Sequence, residues 1–289
     1  MWHQVKNRGV VRVSVALVLA AVGAAPLADA KPNRSPAAAP AAEGAMTAAS
    51  LAKLKSADLA IVREGLDDAR LAGKRAAPAV PAIVALLTNG VPYAVAEAAL
   101  DTLGDIESPD ASPTIAMYAR HRDPTLRRAA VRALAKTQGP MAAPTVRAAL
   151  SDPDSRVRAE AATGLGALKA KAAVGDLFLA LDHRVYEAAV SIGQLCEGAE
   201  CDTFMSRLGK VPFDVMTTGI DPILFRPASE VGDEAKIAIV DKVRDVGTRE
   251  ANGFLKQIGA RWPKKGSAKV KGEIDAAVLA TLSSPGGPP

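Results

Sequence analysis

The chain has 289 residues, of which 60 are alanine and ten are aromatic, with 23% charged and 49% apolar side chains. That balance excludes a disordered chain and a polytopic membrane protein. The two cysteines exclude a disulfide-dense mini-scaffold and a four-cysteine zinc site. Alanine is the best helix former and lets helix axes approach, whereas strands want β-branched and aromatic residues, so the composition points to closely packed helices.

Residues 1–30 read as a secretory signal peptide. Lys6, Arg8 and Arg12 give a positive start, and an apolar run extends to Ala25. Pro26 breaks the run, and Ala28-Asp29-Ala30 offers small residues for cleavage, so the mature chain is expected to begin at Lys31. The apolar run is shorter than the roughly 20 residues a membrane-spanning helix needs. No transmembrane segment is therefore expected in the mature chain. An exported, periplasmic or extracellular protein of bacterial source is the expectation. Removal of the leader lowers the net charge from +5 to +3. That weakens the electrostatic case for nucleic-acid binding, and none is expected. Residues 31–46 form a Pro/Ala-rich linker, and 283–289 a disordered tail by composition.

Between them a 31-residue period dominates. Val95, Ala99, Leu103, Ile115 and Ala119 become Leu126, Ala130, Leu134, Val146 and Leu150 one period on, then Val157, Ala161, Leu165, Leu177 and Leu181. Pro113, Pro144 and Gly175 keep the same phase, as do Asp123 and Asp154, and Arg127 and Arg158. Each unit reads as a helix, a turn and a short second helix, about Pro144 to Leu150 in the middle unit. The first helix carries an i, i+4, i+8 apolar stripe. Its start is marked by Asp-Pro, with aspartate suited to the cap and proline to the first turn. Neither helix buries its stripe alone, so units must stack. The stack is expected over 47–208. Ile192-Gly193 follows Leu165-Gly166 by only 27 residues, which shortens one loop. Cys201 to Pro227 contains no alanine, so 209–230 is expected to be an irregular insert. Helical pattern returns over 231–282.

The run Asp-Pro-Asp-Ser-Arg-Val-Arg-Ala-Glu-Ala-Ala-Thr-Gly-Leu-Gly-Ala-Leu at 152–168 resembles the HEAT repeat, most of all the short bacterial type described as phycobilisome-lyase-like. The resemblance covers about 58–208 well and 230–282 loosely. It implies an all-α, right-handed α-solenoid of HEAT-like helix pairs that serves as a scaffold for protein binding. It also implies that Arg127 and Arg158 meet aspartates of adjacent units in a ladder, with partly exposed pairs worth about 0–1 kcal/mol each. Second helices line the concave side of such stacks, which makes Tyr118, Arg120 and Arg147 candidate partner contacts.

Catalytic motifs are missing: there is no G-x-S-x-G, H-E-x-x-H or P-loop pattern. The mature chain has only His121 and His183. His183 and Glu187 could share a helical face, but one such pair is not a metal site, and HEAT-like metalloenzymes use repeated His-Glu pairs that this sequence lacks. Neither a metal nor a cofactor is implied. Arg261, Lys264, Lys265, Lys269 and Lys271 form a basic run that reads as solvated surface, with weak contact to anionic envelope polymers as its functional alternative. Phe213, Met216, Ile220, Ile223, Leu224 and Phe225 crowd the repeat-breaking segment. They read either as a projecting binding element, with Phe213 and Phe225 as contacts, or as a wedge between the regular stack and the last helices. The rarity of large exposed apolar patches favours the wedge.

Aligning Ile192 with Leu165 ends a first helix at Cys196 and places Cys201 near the start of the second. Glu197-Gly198-Ala199-Glu200 forms the turn, which can bring the cysteines to bonding distance, and export supplies an oxidising compartment. The expectation is therefore a Cys196–Cys201 disulfide in an exported, non-catalytic scaffold or binding module for a protein or peptide. A chromophore-lyase-like or other enzyme on the same scaffold is the runner-up, and a structural envelope component the third reading.

Overall fold

The structure, a computed structural model, describes residues 46–282. The expected leader, the linker up to residue 45 and the tail lie outside the described residues. All regular structure among the described residues is helical, beside one isolated bridge between Leu208 and Val211. After a short α1 (Ala48–Lys53) the chain runs in pairs: α2 (Leu59–Ala72) with α3 (Val80–Asn89), and α4 (Tyr93–Ile106) with α5 (Ser112–Tyr118). Then come α6 (Pro124–Thr137) with α7 (Ala142–Ala148), α8 (Ser155–Ala167) with α9 (Val174–Asp182), and α10 (Ala188–Leu195) with α11 (Ala199–Met205). A single α12 (Phe213–Phe225) comes next, then α13 (Asp233–Asp245), α14 (Arg249–Arg261) and α15 (Ala268–Leu282). The first helices pack in the order α2, α4, α6, α8, α10, α12, each on the next, and the short second helices pack mainly on the first helix that follows, α3 on α4, α5 on α6, α7 on both α6 and α8, and α9 on α10. This is an all-α solenoid.

The period sets the ends of each unit. Asp123 Oδ1 accepts from the Thr125 N–H at 2.8 Å and Asp154 Oδ1 from the Arg156 N–H at 2.8 Å, so these aspartates cap α6 and α8. The Asp-Pro rule holds at α6, but in the next unit Asp152-Pro153 lie before the cap and the helix begins at Ser155. At the other end, Glu107, Gln138 and Lys169 turn the chain with φ of 57°, 51° and 53°. They lie one period apart, and each ends or closely follows a first helix in the left-handed region.

The apolar columns are buried throughout: Val95, Leu103, Ile115, Leu134, Val146, Val157, Leu165 and Leu177 are each 3% exposed or less. Complete burial of such side chains contributes about 1.5–3 kcal/mol apiece. The stretch Leu59–Asn89 is by length and composition apolar enough to cross a membrane. It is, however, one helix pair, turned at Gly73 (φ 56°), with Val62, Leu66, Ile83 and Leu87 packed in the core.

The stretch 209–230 departs from expectation. It is not an irregular insert but carries the 13-residue α12, which continues the row of first helices by packing on α10. Met216, Ile220, Ile223 and Leu224 are fully buried along one helical stripe. Alanine is replaced as the spacer by paired glycines. A Cβ at Gly193 would run into the Gly219 carbonyl, and one at Gly219 into the Ala189 carbonyl and the Phe204 ring. The α10–α12 crossing thus has no room for a methyl group. Gly219→Ala is expected to destabilise the fold by about 1–3 kcal/mol through overpacking. Urea titration followed by circular dichroism checks this, and a wild-type midpoint would show that the helices can separate at no cost.

Candidate functional site

The short second helices leave one side chain per unit pointing away from the core at the same register: Met117 on α5, Ala148 on α7 and Leu179 on α9. Met117 is 71% and Leu179 61% exposed. Arg120, one turn beyond Met117, is exposed as well. Arg147, next to Ala148, reaches Asp176 Oδ2 at 2.6 Å while keeping about half of its side chain in solvent. The face therefore combines large flexible apolar groups with arginines, a composition suited to recognising another chain. Met117 and Leu179 were not singled out in the sequence, although their spacing of two periods was the available signal.

The other candidate contacts are occupied inside the protein. The Tyr118 hydroxyl donates to the Leu87 carbonyl at 2.9 Å, linking α5 to α3, and its ring stacks on His121 at 5.9 Å. Burial raises the Tyr118 pKa. Phe213 meets Phe254 edge-on at 6.3 Å, and Phe225 packs on Trp262 at 5.6 Å with the Arg261 guanidinium 5.1 Å from its ring centre. Both phenylalanines are half-buried, as a wedge requires. Phe213 also borders a cleft of about 710 Å³ beside Lys210, Val211 and Lys242. In the basic run, Arg261 pairs with Asp221, Lys269 with Glu234 and Lys271 with Asp275, which leaves Lys264 and Lys265 as its solvated part. His183 and Glu187 do not share a helix, because His183 ends α9 and Glu187 precedes α10.

An arginine–aspartate contact between units is present, with a partner other than the capping aspartates. Arg127 Nε and Nη2 donate to Asp152 Oδ2 and Oδ1, both at 2.8 Å, while its Nη1 donates to the His121 and Arg122 carbonyls at 2.9 and 3.0 Å. The pair is more buried than the expected surface bridge, with side chains 13% and 8% exposed. Burial acts to raise the Asp152 carboxyl, but the bonds from Arg127 and the Asp154 N–H outweigh it and hold the pKa below the ordinary value. A second network joins the first helices themselves. Asp105 binds Arg70 and Lys136, and Arg132 bridges Asp101 at 2.7 Å to Glu160 at 3.7 Å.

Arg127→Ala leaves a mostly buried carboxylate unpaired and is expected to cost about 2–4 kcal/mol, between the exposed and fully buried limits. A depressed carboxyl pKa contributes stability above the unfolded value of about 4 and loses it as pH falls through the folded value. The gap between wild type and Arg127→Ala is therefore expected to hold from neutral pH down to about 4 and to close below it. Melting curves at stepped pH read this directly, and a gap unchanged at low pH would remove Asp152 from the account.

The sulfurs of Cys196 and Cys201 lie at disulfide distance, with Cα atoms 5.2 Å apart. Cys196 ends α10, Gly198 turns the chain at φ 45°, and Cys201 sits in the first turn of α11. Arg226 Nη1, just past α12, donates to the Cys196 carbonyl at 2.6 Å, so this turn also anchors the next first helix. So short a loop gives about 2 kcal/mol of chain-entropy stabilisation. Thiol titration of unreduced, denatured protein is expected to find no free thiol, and reduction to lower the melting midpoint by about 4–8 °C. Two free thiols per chain would refute the bridge.

A family model for HEAT repeats matches residues 112–192, which hold α5 to most of α10. No curated protein matches the chain. Among solved structures, the complex of CpcE and CpcF of phycocyanin lyase from Nostoc sp. PCC7120 is 20% identical and covers 81% of this chain and 93% of that one, with a TM-score of 0.44. An engineered protein is 17% identical over 83% of this chain and 69% of its own, with a TM-score of 0.44. A designed armadillo repeat protein in complex with the peptide (KR)4 is 14% identical over 80% and 98%, with a TM-score of 0.34.

Proposed function

We propose that this chain is an exported, non-catalytic binding module that presents the solvent-facing side of α5, α7 and α9 to a protein or peptide partner. The observation that carries the reading is the pair Met117 and Leu179, 71% and 61% exposed in one repeat column, with Arg120 and Arg147 beside them. Solvating two large apolar side chains at the same register gains the free protein nothing. Covering them on binding returns about 25 cal/mol per Å². Rigid units stacked at a constant period hold such a row at fixed spacing, which suits an extended partner. Export rests on the leader-like pattern of residues 1–30 and fits an intramolecular disulfide.

The test immobilises the processed chain and presents it with the extracytoplasmic fraction of its source. Met117→Asp with Leu179→Asp changes only solvent-facing side chains, so melting is expected to stay within about 0.5 kcal/mol of wild type while the captured protein is lost. Equal capture by the double variant would move the binding surface elsewhere.

A further inference from the structure

The arginine ladder stops one unit too early. Arg158 occupies in α8 the position of Arg127 in α6, and its guanidinium is held the same way. Its Nη1 donates to the Asp152 and Pro153 carbonyls at 2.8 and 3.0 Å, matching the two carbonyls that hold Arg127. Arg127 then turns its Nε and Nη2 edge to the carboxylate 25 residues on, Asp152. Twenty-five residues beyond Arg158 stands His183, exposed at the end of α9. Among the described residues Arg158 forms no salt bridge. In place of the missing carboxylate there is a cleft of about 420 Å³, bordered by Arg158, His183, Arg147, Asp152, Asp176 and Leu179. Each aspartate there already has its own arginine: Asp152 has Arg127 and Asp176 has Arg147. On its other side Arg158 borders a smaller cleft with Arg156, Arg184 and Glu187, where the arginines outnumber the acid. The charge of Arg158 helps to lower the Asp152 carboxyl, but its Nε and Nη2 edge has no carboxylate within bonding distance among the described residues.

We infer that this cleft is a carboxylate-binding site that takes an aspartate or glutamate side chain of a partner peptide on the Nε and Nη2 edge of Arg158. The protein supplies the template, since the same edge one unit earlier holds a carboxylate in a two-bond fork. The guanidinium is oriented before the ligand arrives, so little side-chain freedom is lost on binding. Leu179, which lines the same cleft and belongs to the exposed column, sets an apolar contact next to the charge. The expected recognition element is an acidic residue beside a large apolar one. This inference rests on the reading of the second-helix face as a peptide-binding surface and adds the chemistry of one subsite.

The test uses two fluorescein-labelled peptides, Ala-Leu-Glu-Ala-Leu-Glu-Ala-amide and its twin with Gln for Glu, in low salt with anisotropy as readout. The Glu peptide is expected to bind wild type at least tenfold more tightly than the Gln twin. Arg158→Gln is expected to abolish that preference, whereas Arg63→Gln, the same charge change on exposed α2 surface, keeps it. His183→Asp places a carboxylate where the ladder lacks one. It is expected to raise the melting midpoint and to abolish the preference without removing any arginine. Equal binding of the two peptides to wild type, no binding of either at millimolar protein, or a preference that survives Arg158→Gln would each overturn the site. Loss of the Glu preference with partner capture still sensitive to Met117 and Leu179 would sink this inference alone. The reverse pattern would sink only the wider reading.

Discussion

The distance to which one first helix can approach the next governs this structure. At the α4–α6 crossing a Cβ on Gly104 would stand 3.0 Å from the Ala133 Cα, and at α6–α8 one on Gly164 would stand 3.1 Å from the Ala135 Cβ. At α10–α12 glycine faces glycine. Such spacing brings backbones together and leaves little side-chain volume between them, so stacking depends on continuous contact rather than on a few large anchors. It also explains the composition. Alanine and glycine set the separation, and the larger residues, Leu103, Leu134, Leu165 and Ile192, are fully buried in the core that the stacked helices enclose.

Close stacking fixes where charge can be placed. Carboxylates and cations on the rims of the first helices come into range of the neighbouring unit because the axes are near, as in Arg70–Asp105–Lys136 and Asp101–Arg132–Glu160. Most of these groups are partly solvated and contribute register more than energy. Arg127 with Asp152 is different. Two backbone carbonyls and one carboxylate take four of the five guanidinium N–H groups at the mouth of the turn, so unit spacing and turn conformation become one constraint.

Much of this was legible in the sequence because the period is visible in residues that tolerate little change: buried apolar columns, capping aspartates and the ladder arginines. The unit ends were harder to read. Glu107, Gln138 and Lys169 adopt left-handed backbone at one-period intervals without a glycine to announce it. The helix α12 was missed for another reason. The absence of alanine from Cys201 to Pro227 read as an end of the helical pattern, yet Pro212 stands at the N-cap, Gly219 makes the crossing, and Pro222 lies inside the helix at the cost of one main-chain bond. The spacing of Met216, Ile220 and Ile223 or Leu224 was the helical signal. Likewise the ladder's acid could not be told from the capping acids by type. Only the 25-residue reach of Arg127 separates Asp152 from Asp123 and Asp154.

The interruption in the period and the candidate recognition surface fall at the same place, and one cause links them. Between α8 and α10 the repeat shortens from 31 residues to 27, so the turn after α9 is tight, with Arg184 at φ 65°. A shortened turn carries no Asp-Pro-Asp segment, and with it goes the acid that would have closed the ladder. The guanidinium of Arg158 keeps its backbone anchors, which belong to its own unit and are untouched by the shortened turn downstream. The same shortening brings α10 to an end at Cys196, where the cysteine pair and the Arg226 contact hold the following turn and α12 against it. The open step lies on the edge of the face where Leu179 is exposed. A solenoid whose every step was closed would offer a partner only its outer side chains. Here the local change of period also leaves an oriented arginine to bind.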